Sequence, residues 1–207
     1  MSKALSSYFP YLKEKPLVYY TWLNTVGRFL AYICRTKIIG AENLPKEGKV
    51  LIVSNHKSYL DPPLIAWALR KRIIFFMAKE ELFKGFLGIL IKHWGNAFPV
   101  KRGQGDKKAI LTALSLLKQD KALCIFPEGT RAKNTDFLPP KLGVGLIALK
   151  AKAPILPIYI EGTNKFPPNV KIVVGKPFKL ELEDKKENYM RAAKLIMEEI
   201  KKLKRYV

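Results

Sequence analysis

His56 and Asp61 stand five positions apart, directly after the apolar run Val50-Leu51-Ile52-Val53-Ser54. An imidazole exchanges its proton near neutral pH, and a carboxylate on one ring nitrogen fixes the tautomer, leaving the other nitrogen to draw a proton from a hydroxyl. The pair therefore has the composition of a general base and its orienting acid. A plainer reading uses the same residues: Asp61 followed by Pro62 is a common helix start, and His56 is then a satisfied turn histidine. Spacing alone leaves both open. The second histidine, His93, has no acidic residue at a matching interval and reads as a packing or interface residue.

Two further clusters have the residue types of anion binding. Phe126-Pro127-Glu128-Gly129-Thr130-Arg131 also follows an apolar run, its glycine permits close backbone approach, and amide groups with Arg131 would make an anion cradle. The same residues could simply form a connecting turn. In Gly95-Asn96-Ala97-Phe98-Pro99-Val100-Lys101-Arg102 two adjacent cations precede a helical pattern, which suits phosphate and equally suits a solvated basic turn. Ala153-Pro154-Ile155-Leu156-Pro157-Ile158 reads as a core strand with proline at its start.

The elements that must position these groups alternate. Apolar runs at Val50 to Val53, Ile73 to Met77, Leu123 to Phe126, Ile155 to Ile160 and Val170 to Val174 are the expected strands. Helical patterns lie between them near 62–70, 105–118 and 142–151, and a last amphipathic helix over 185–205 buries Leu195, Ile196, Ile200 and Leu203. That order predicts one α/β domain over 36–207, with a mixed, largely parallel sheet flanked by helices.

Residues 1–35 differ. Leu5, Tyr8, Phe9 and Leu12, then Tyr19, Trp22, Leu23, Val26, Leu30 and Ile33 after Pro16, fall at helical spacing, with Thr21, Asn24, Thr25 and Arg28 on the other face. The second stretch is shorter than the roughly 20 apolar residues that span a bilayer. An amphipathic two-helix element lying in the membrane interface is expected, with Trp22, Tyr19, Tyr20 and Tyr32 at headgroup depth and Lys13, Lys15, Arg28 and Arg35 facing anionic lipid. A helical hairpin packed on its own domain is the alternative.

The chain has 207 residues, enough for one compact domain, with 48% hydrophobic and 27% charged residues. Its 38 Lys and Arg against 17 Asp and Glu leave a net charge of +21, which favours phosphorylated or anionic partners. Charge is the one feature favouring nucleic acid; no zinc finger, RNA-recognition signature or basic zipper is present, so no nucleic-acid partner is expected. A catalytically silent membrane module is the other rival. Cys34 and Cys124 are far apart in apolar surroundings, which suits packing in the interior of a cell, and no secretory signal is visible. The scattered histidines and cysteines do not match zinc spacing, and no dinucleotide or Walker fingerprint occurs, so neither metal nor cofactor is expected.

Taken together and in order, these clusters resemble the four-block pattern of the glycerolipid acyltransferase family, over about residues 50 to 163. Asn55-His56 with Asp61 looks like its N-H-x4-D block, Gly95 through Arg102 like the second, Phe126 through Arg131 like the third and Pro154 through Pro157 like the fourth. Family-like phrases recur at Ala78-Lys79, Glu81-Leu82, Lys141 with Gly143, and Gly162-Thr163; the nearest branch is the bacterial 1-acyl-glycerol-3-phosphate acyltransferases. Where that family's third block continues with serine, Ala132 stands here.

The resemblance implies direct transfer of a fatty acyl chain from an acyl carrier protein or coenzyme A thioester to the hydroxyl of lysophosphatidic acid, or alternatively of another lysophospholipid or glycerol 3-phosphate, with His56 as base and Asp61 as its orienter. It implies oxyanion support from Lys79 and the Gly129 amide, phosphate binding by Arg102 and Arg131 with Lys101 and Lys141 as helpers, and supporting places for Asn55, Glu128 and Thr130. It also implies docking through the N-terminal helices to the cytoplasmic face of the cell membrane, as a peripheral or monotopic protein. The absence of a Gly-x-Ser-x-Gly elbow agrees with transfer lacking a covalent intermediate.

Overall fold

The computed structural model describes residues 14–85, 88–89, 91, 96–101, 105–132 and 136–207. The first expected helix, Lys13, His93, Gly95 and Arg102 lie outside the described residues. Seven strands form one sheet: β1 (Lys37–Ile39), β2 (Val50–Ser54), β3 (Ile74–Lys79), β4 (Ala97–Val100), β5 (Ala122–Ile125), β6 (Ile155–Glu161) and β7 (Lys171–Val174), in the order β1-β7-β6-β2-β5-β3-β4. The block from β6 to β4 is parallel throughout; β7 runs antiparallel to β6, and β1 parallel to β7. This is the mixed, largely parallel sheet expected.

Strand β2 lies at its centre and is buried at every position, which is why it reads as an unbroken apolar run. Alternate side chains serve opposite faces. Leu51 and Val53 join a cluster with α4 (Lys107–Lys118), α5 (Leu142–Ala151) and α6 (Asn188–Lys202), through Ala113, Leu116, Ile147, Ala148, Ile196 and Ile200. Gly145 lets α5 and α6 touch: a Cβ there would lie 1.9 Å from the Tyr189 carbonyl oxygen. Val50 and Ile52 face the other way, onto Leu64, Ile65 and Leu69 at α3 (Asp61–Ala68) and onto Tyr19, Leu23, Ala31 and Cys34.

Those last four residues revise the expectation for the N-terminal segment. Helix α1 (Pro16–Trp22) passes through a π-helical turn, Leu23–Gly27, into α2 (Arg28–Ile33) without a break in helical backbone angles. Tyr19, Leu23, Gly27 and Ala31, each four residues from the next, are all buried. Four-residue steps drift about 40° each on a regular α-helix, and the π turn takes up the drift. Tyr19, Leu23, Gly27, Ala31 and Cys34 therefore face the sheet, while Val26 and Ile33, expected on the apolar membrane-facing side, stay exposed. Tyr19, expected at headgroup depth, is core, and its hydroxyl accepts a hydrogen bond from the Ile74 amide at 3.3 Å. Tyr19, Leu23, Ala31 and Cys34 thus share one core cluster with the sheet.

Two strands were not anticipated. β1 has three residues, and β4 contains Pro99, which argues against a strand except at a sheet edge; β4 is that edge, paired with β3 alone.

Candidate active site

The register pairs Val53 with Ile125 and Phe76 with Cys124, so β2, β5 and β3 end together and deliver the first and third motif clusters to one edge. Ligand sites of α/β sheets lie at such carboxyl ends. Asn55 continues the ladder as β2 turns away: its Nδ2 donates to the Ile160 carbonyl at 2.8 Å and its Oδ1 accepts from the Ile160 amide at 2.9 Å. This side chain fixes the direction in which His56 leaves the sheet.

His56 Nδ1 lies 2.7 Å from Asp61 Oδ2, and the same oxygen accepts from the backbone amides of Lys57 at 2.6 Å and Ser58 at 2.8 Å. The helix-cap reading fails on this geometry. Asp61 is the first residue of α3 yet turns back into the preceding loop, and neither it nor Leu60 before it caps a helical amide. Pro62 and Pro63 follow with no N–H to offer, so the helix makes no claim on the carboxylate. With the carboxylate as acceptor Nδ1 is the donor, and a neutral imidazole so held has its lone pair on Nε2. Phe126 stacks on the imidazole with ring centroids 4.1 Å apart, and His56 retains 9% exposure.

Glu128 braces the arrangement from behind. Its Oε1 accepts from the His56 amide at 3.0 Å and its Oε2 from the Leu138 amide at 2.9 Å, tying the base loop to the far side of the third cluster. Burial pushes this carboxyl above the usual glutamate range, and the two backbone donors draw it partly back. The Ala132 amide adds a bond to the His56 carbonyl at 2.8 Å. Position 132 reaches the site through its backbone amide. The sequence places Glu128 in the third cluster and Ala132 just after it but gives no sign that both bond the backbone of His56.

Arg131 and Tyr59 meet across the two loops. The guanidinium donates to the Tyr59 hydroxyl at 3.0 Å, and its carbon lies 3.7 Å from the ring centroid. The other expected residues are more dispersed. Lys79, at the end of β3, pairs with Glu81 at 2.9 Å. Gly129 adopts φ +67, which favours glycine, and its amide donates within its own turn to the Phe126 carbonyl at 3.0 Å. Lys141 lays its stem against Gly129, where a Cβ would lie 3.2 Å from Cγ, and its amide bonds the Pro127 carbonyl at 2.8 Å. Lys101 and Thr130 are exposed; the Lys101 amide bonds Oδ2 of Asp106, whose Oδ1 caps α4 at the Ala109 amide.

A family model described as "Acyltransferase" matches residues 35–161. The 1-acyl-sn-glycerol-3-phosphate acyltransferase of Bacillus subtilis (strain 168) is 31% identical over 147 residues, covering 68% of this chain and 72% of that protein. The 1-acyl-sn-glycerol-3-phosphate acyltransferase alpha of Mus musculus is 33% identical over 137 residues, 65% of this chain; the match spans 48% of the mouse protein, about half its length. Among solved structures, the 1-acyl-sn-glycerophosphate (LPA) acyltransferase PlsC from Thermotoga maritima shares the fold with a TM-score of 0.67 over 95% of this chain and 86% of that one, at 24% identity.

Proposed function

The chain belongs to the acyltransferase family, and from that premise we propose that it transfers a fatty acyl group from an acyl thioester to the sn-2 hydroxyl of 1-acyl-sn-glycerol-3-phosphate, giving phosphatidic acid. The observation that carries the reading is the 2.7 Å contact of His56 with Asp61 at the common end of β2 and β5. His56 Nε2 takes the acceptor proton as the hydroxyl oxygen bonds to the thioester carbonyl. The tetrahedral adduct then expels the thiolate, and the imidazolium returns its proton to the leaving sulfur. Acyl carrier protein and coenzyme A both fit as thioester donors to a chain of charge +21.

Direct transfer agrees with the cysteines. Cys34 and Cys124 are buried, and burial pushes both thiols up, so neither offers a ready thiolate nucleophile. Of the two oxyanion donors read from the sequence, Lys79 is the more available, since an exposed ion pair such as Lys79–Glu81 holds only about 0 to 1 kcal/mol. The Gly129 amide would first have to leave the Phe126 carbonyl. The test is to incubate the protein with a labelled acyl thioester and a panel of lysolipids, with and without phosphate, and with glycerol 3-phosphate. Phosphatidic acid is the expected product; acylation confined to acceptors lacking phosphate would overturn the reading.

Arg102 and Arg131 are the proposed phosphate ligands, with Lys101 and Lys141 as helpers. Arg131→Ala is expected to raise the acceptor KM by about ten- to a hundred-fold, the scale of one or two charge-assisted hydrogen bonds, with kcat little changed. Steady-state kinetics with varied acceptor decide it, and an unchanged KM removes Arg131 from this role.

Docking to the cytoplasmic face of the membrane, as a peripheral protein, is part of the proposal. No helix among the described residues is long and apolar enough to cross a membrane. The outer face of α1 and α2 exposes Leu17, Val18, Val26, Phe29, Tyr32 and Ile33 beside Arg28 and Arg35, a mixture suited to an anionic interface. Deleting the segment would strip Tyr19 and Leu23 from the core, so surface substitutions are the informative test. Phe29→Ser with Tyr32→Ser, at sites 62% and 80% exposed, is expected to lower co-sedimentation with anionic vesicles several-fold while leaving thermal stability within about 0.5 kcal/mol. Undiminished co-sedimentation would move the docking face elsewhere.

A further inference from the structure

Tyr59 lies inside the loop that joins His56 to Asp61, and its side chain is 58% exposed. No packing requirement calls for an aromatic residue at so open a position. Its neighbours are tightly held: the Lys57 and Ser58 amides bond Asp61, and the Leu60 amide donates to Ser58 Oγ at 3.2 Å. The ring therefore projects from a loop whose conformation is fixed by the base and its carboxylate. On the other side, the bond from Ala132 to the His56 carbonyl pins the residue after Arg131 to the same loop.

Arg131 meets this ring with its guanidinium carbon 3.7 Å from the centroid and one N–H on the hydroxyl at 3.0 Å. A guanidinium has five N–H donors in one plane. The ring lies against the guanidinium carbon, and the tyrosine hydroxyl takes one donor. The other donors are left for an anion, and a guanidinium binds phosphate in bidentate fashion.

We infer that Tyr59 is a positioning residue for the acceptor phosphate, holding the Arg131 guanidinium on the loop that carries His56. One rigid turn then fixes both the group that binds the phosphate and the group that deprotonates the hydroxyl, so an acceptor is matched by the separation of its two ends. The inference rests on the proposed transfer to a phosphorylated acceptor.

Tyr59→Leu removes ring and hydroxyl together and is expected to raise the KM for 1-acyl-glycerol-3-phosphate roughly ten-fold, the upper scale of a cation–π contact, with kcat and thioester KM within about two-fold. Tyr59→Phe keeps the ring and should recover most of the loss. In an Arg131→Ala background Tyr59→Leu should add nothing. An acceptor KM unchanged by Tyr59→Leu, or a full additional loss in the Arg131→Ala background, overturns the inference. Calorimetric titration with glycerol 3-phosphate separates this claim from the proposed reaction. Weaker binding by Tyr59→Leu in a protein that transfers no acyl group supports the inference and defeats the reaction; equal binding by the two proteins, or none by either, defeats the inference.

Discussion

His56→Ala is expected to lower kcat for acyl transfer by about a thousand- to ten-thousand-fold while leaving the fold and both KM values nearly intact, the scale on which positioned general bases act. A glycerol hydroxyl is a poor nucleophile near neutral pH, and His56 Nε2 is the free nitrogen of an imidazole whose other edge is committed to Asp61. Its backbone is held independently of the ring, through the amide to Glu128 and the carbonyl from Ala132. The loop should therefore survive loss of the imidazole, and the remaining rate would report orientation and electrostatics alone. Single-turnover measurement with labelled thioester, beside a urea melt, tests both halves. A variant that melts like wild type and still turns over within ten-fold of it would mean that another group takes the proton.

The elements around this site were legible where burial is symmetrical. β2, β5 and β6 are inner strands covered on both faces, so each reads as an apolar run bounded by turn residues. β4 was obscured because Pro99 is tolerated only at an edge, and the edge is a property of the assembled sheet. The N-terminal helix illustrates a different loss. Periodicity identified the helix but put Tyr19 and Leu23 on one apolar face with Val26 and Ile33; a π turn shifts the phase by about one residue and leaves no mark in composition, so the first two are core and the last two exposed.

The candidate site divides along similar lines. His56, Asp61 and Arg131 were identifiable from residue type and from their places just after strands. Their connections were not. Tyr59 and Arg131 are 72 positions apart and meet because β2 and β5 are neighbours, a pairing that no local spacing encodes. Glu128 read as one acidic residue in a turn; its position behind His56 depends on that turn folding back beneath the base loop.

Asp61→Asn and Asp61→Ala should part company, and the reason is that three donors converge on one oxygen. His56 Nδ1, the Lys57 amide and the Ser58 amide all meet Oδ2, while Oδ1 is buried with no hydrogen-bond partner. An asparagine that places its carbonyl oxygen where Oδ2 stands keeps an acceptor for all three and preserves the proton on Nδ1. Its amide nitrogen then takes the unpartnered position, at a cost of about 1 to 3 kcal/mol for a buried donor. What it lacks is the negative charge that stabilises the imidazolium as the acceptor proton is taken. Asp61→Asn should therefore fold and lose kcat by about a hundred- to thousand-fold with little change in KM, a purely electrostatic deficit. Asp61→Ala strands all three donors and should destabilise the protein by about 3 kcal/mol or more, besides losing transfer. Comparison of kcat and urea midpoints for the two variants separates charge from scaffolding. Wild-type kcat in Asp61→Asn would mean that the carboxylate serves only to staple the loop, leaving His56 to act without a charged partner.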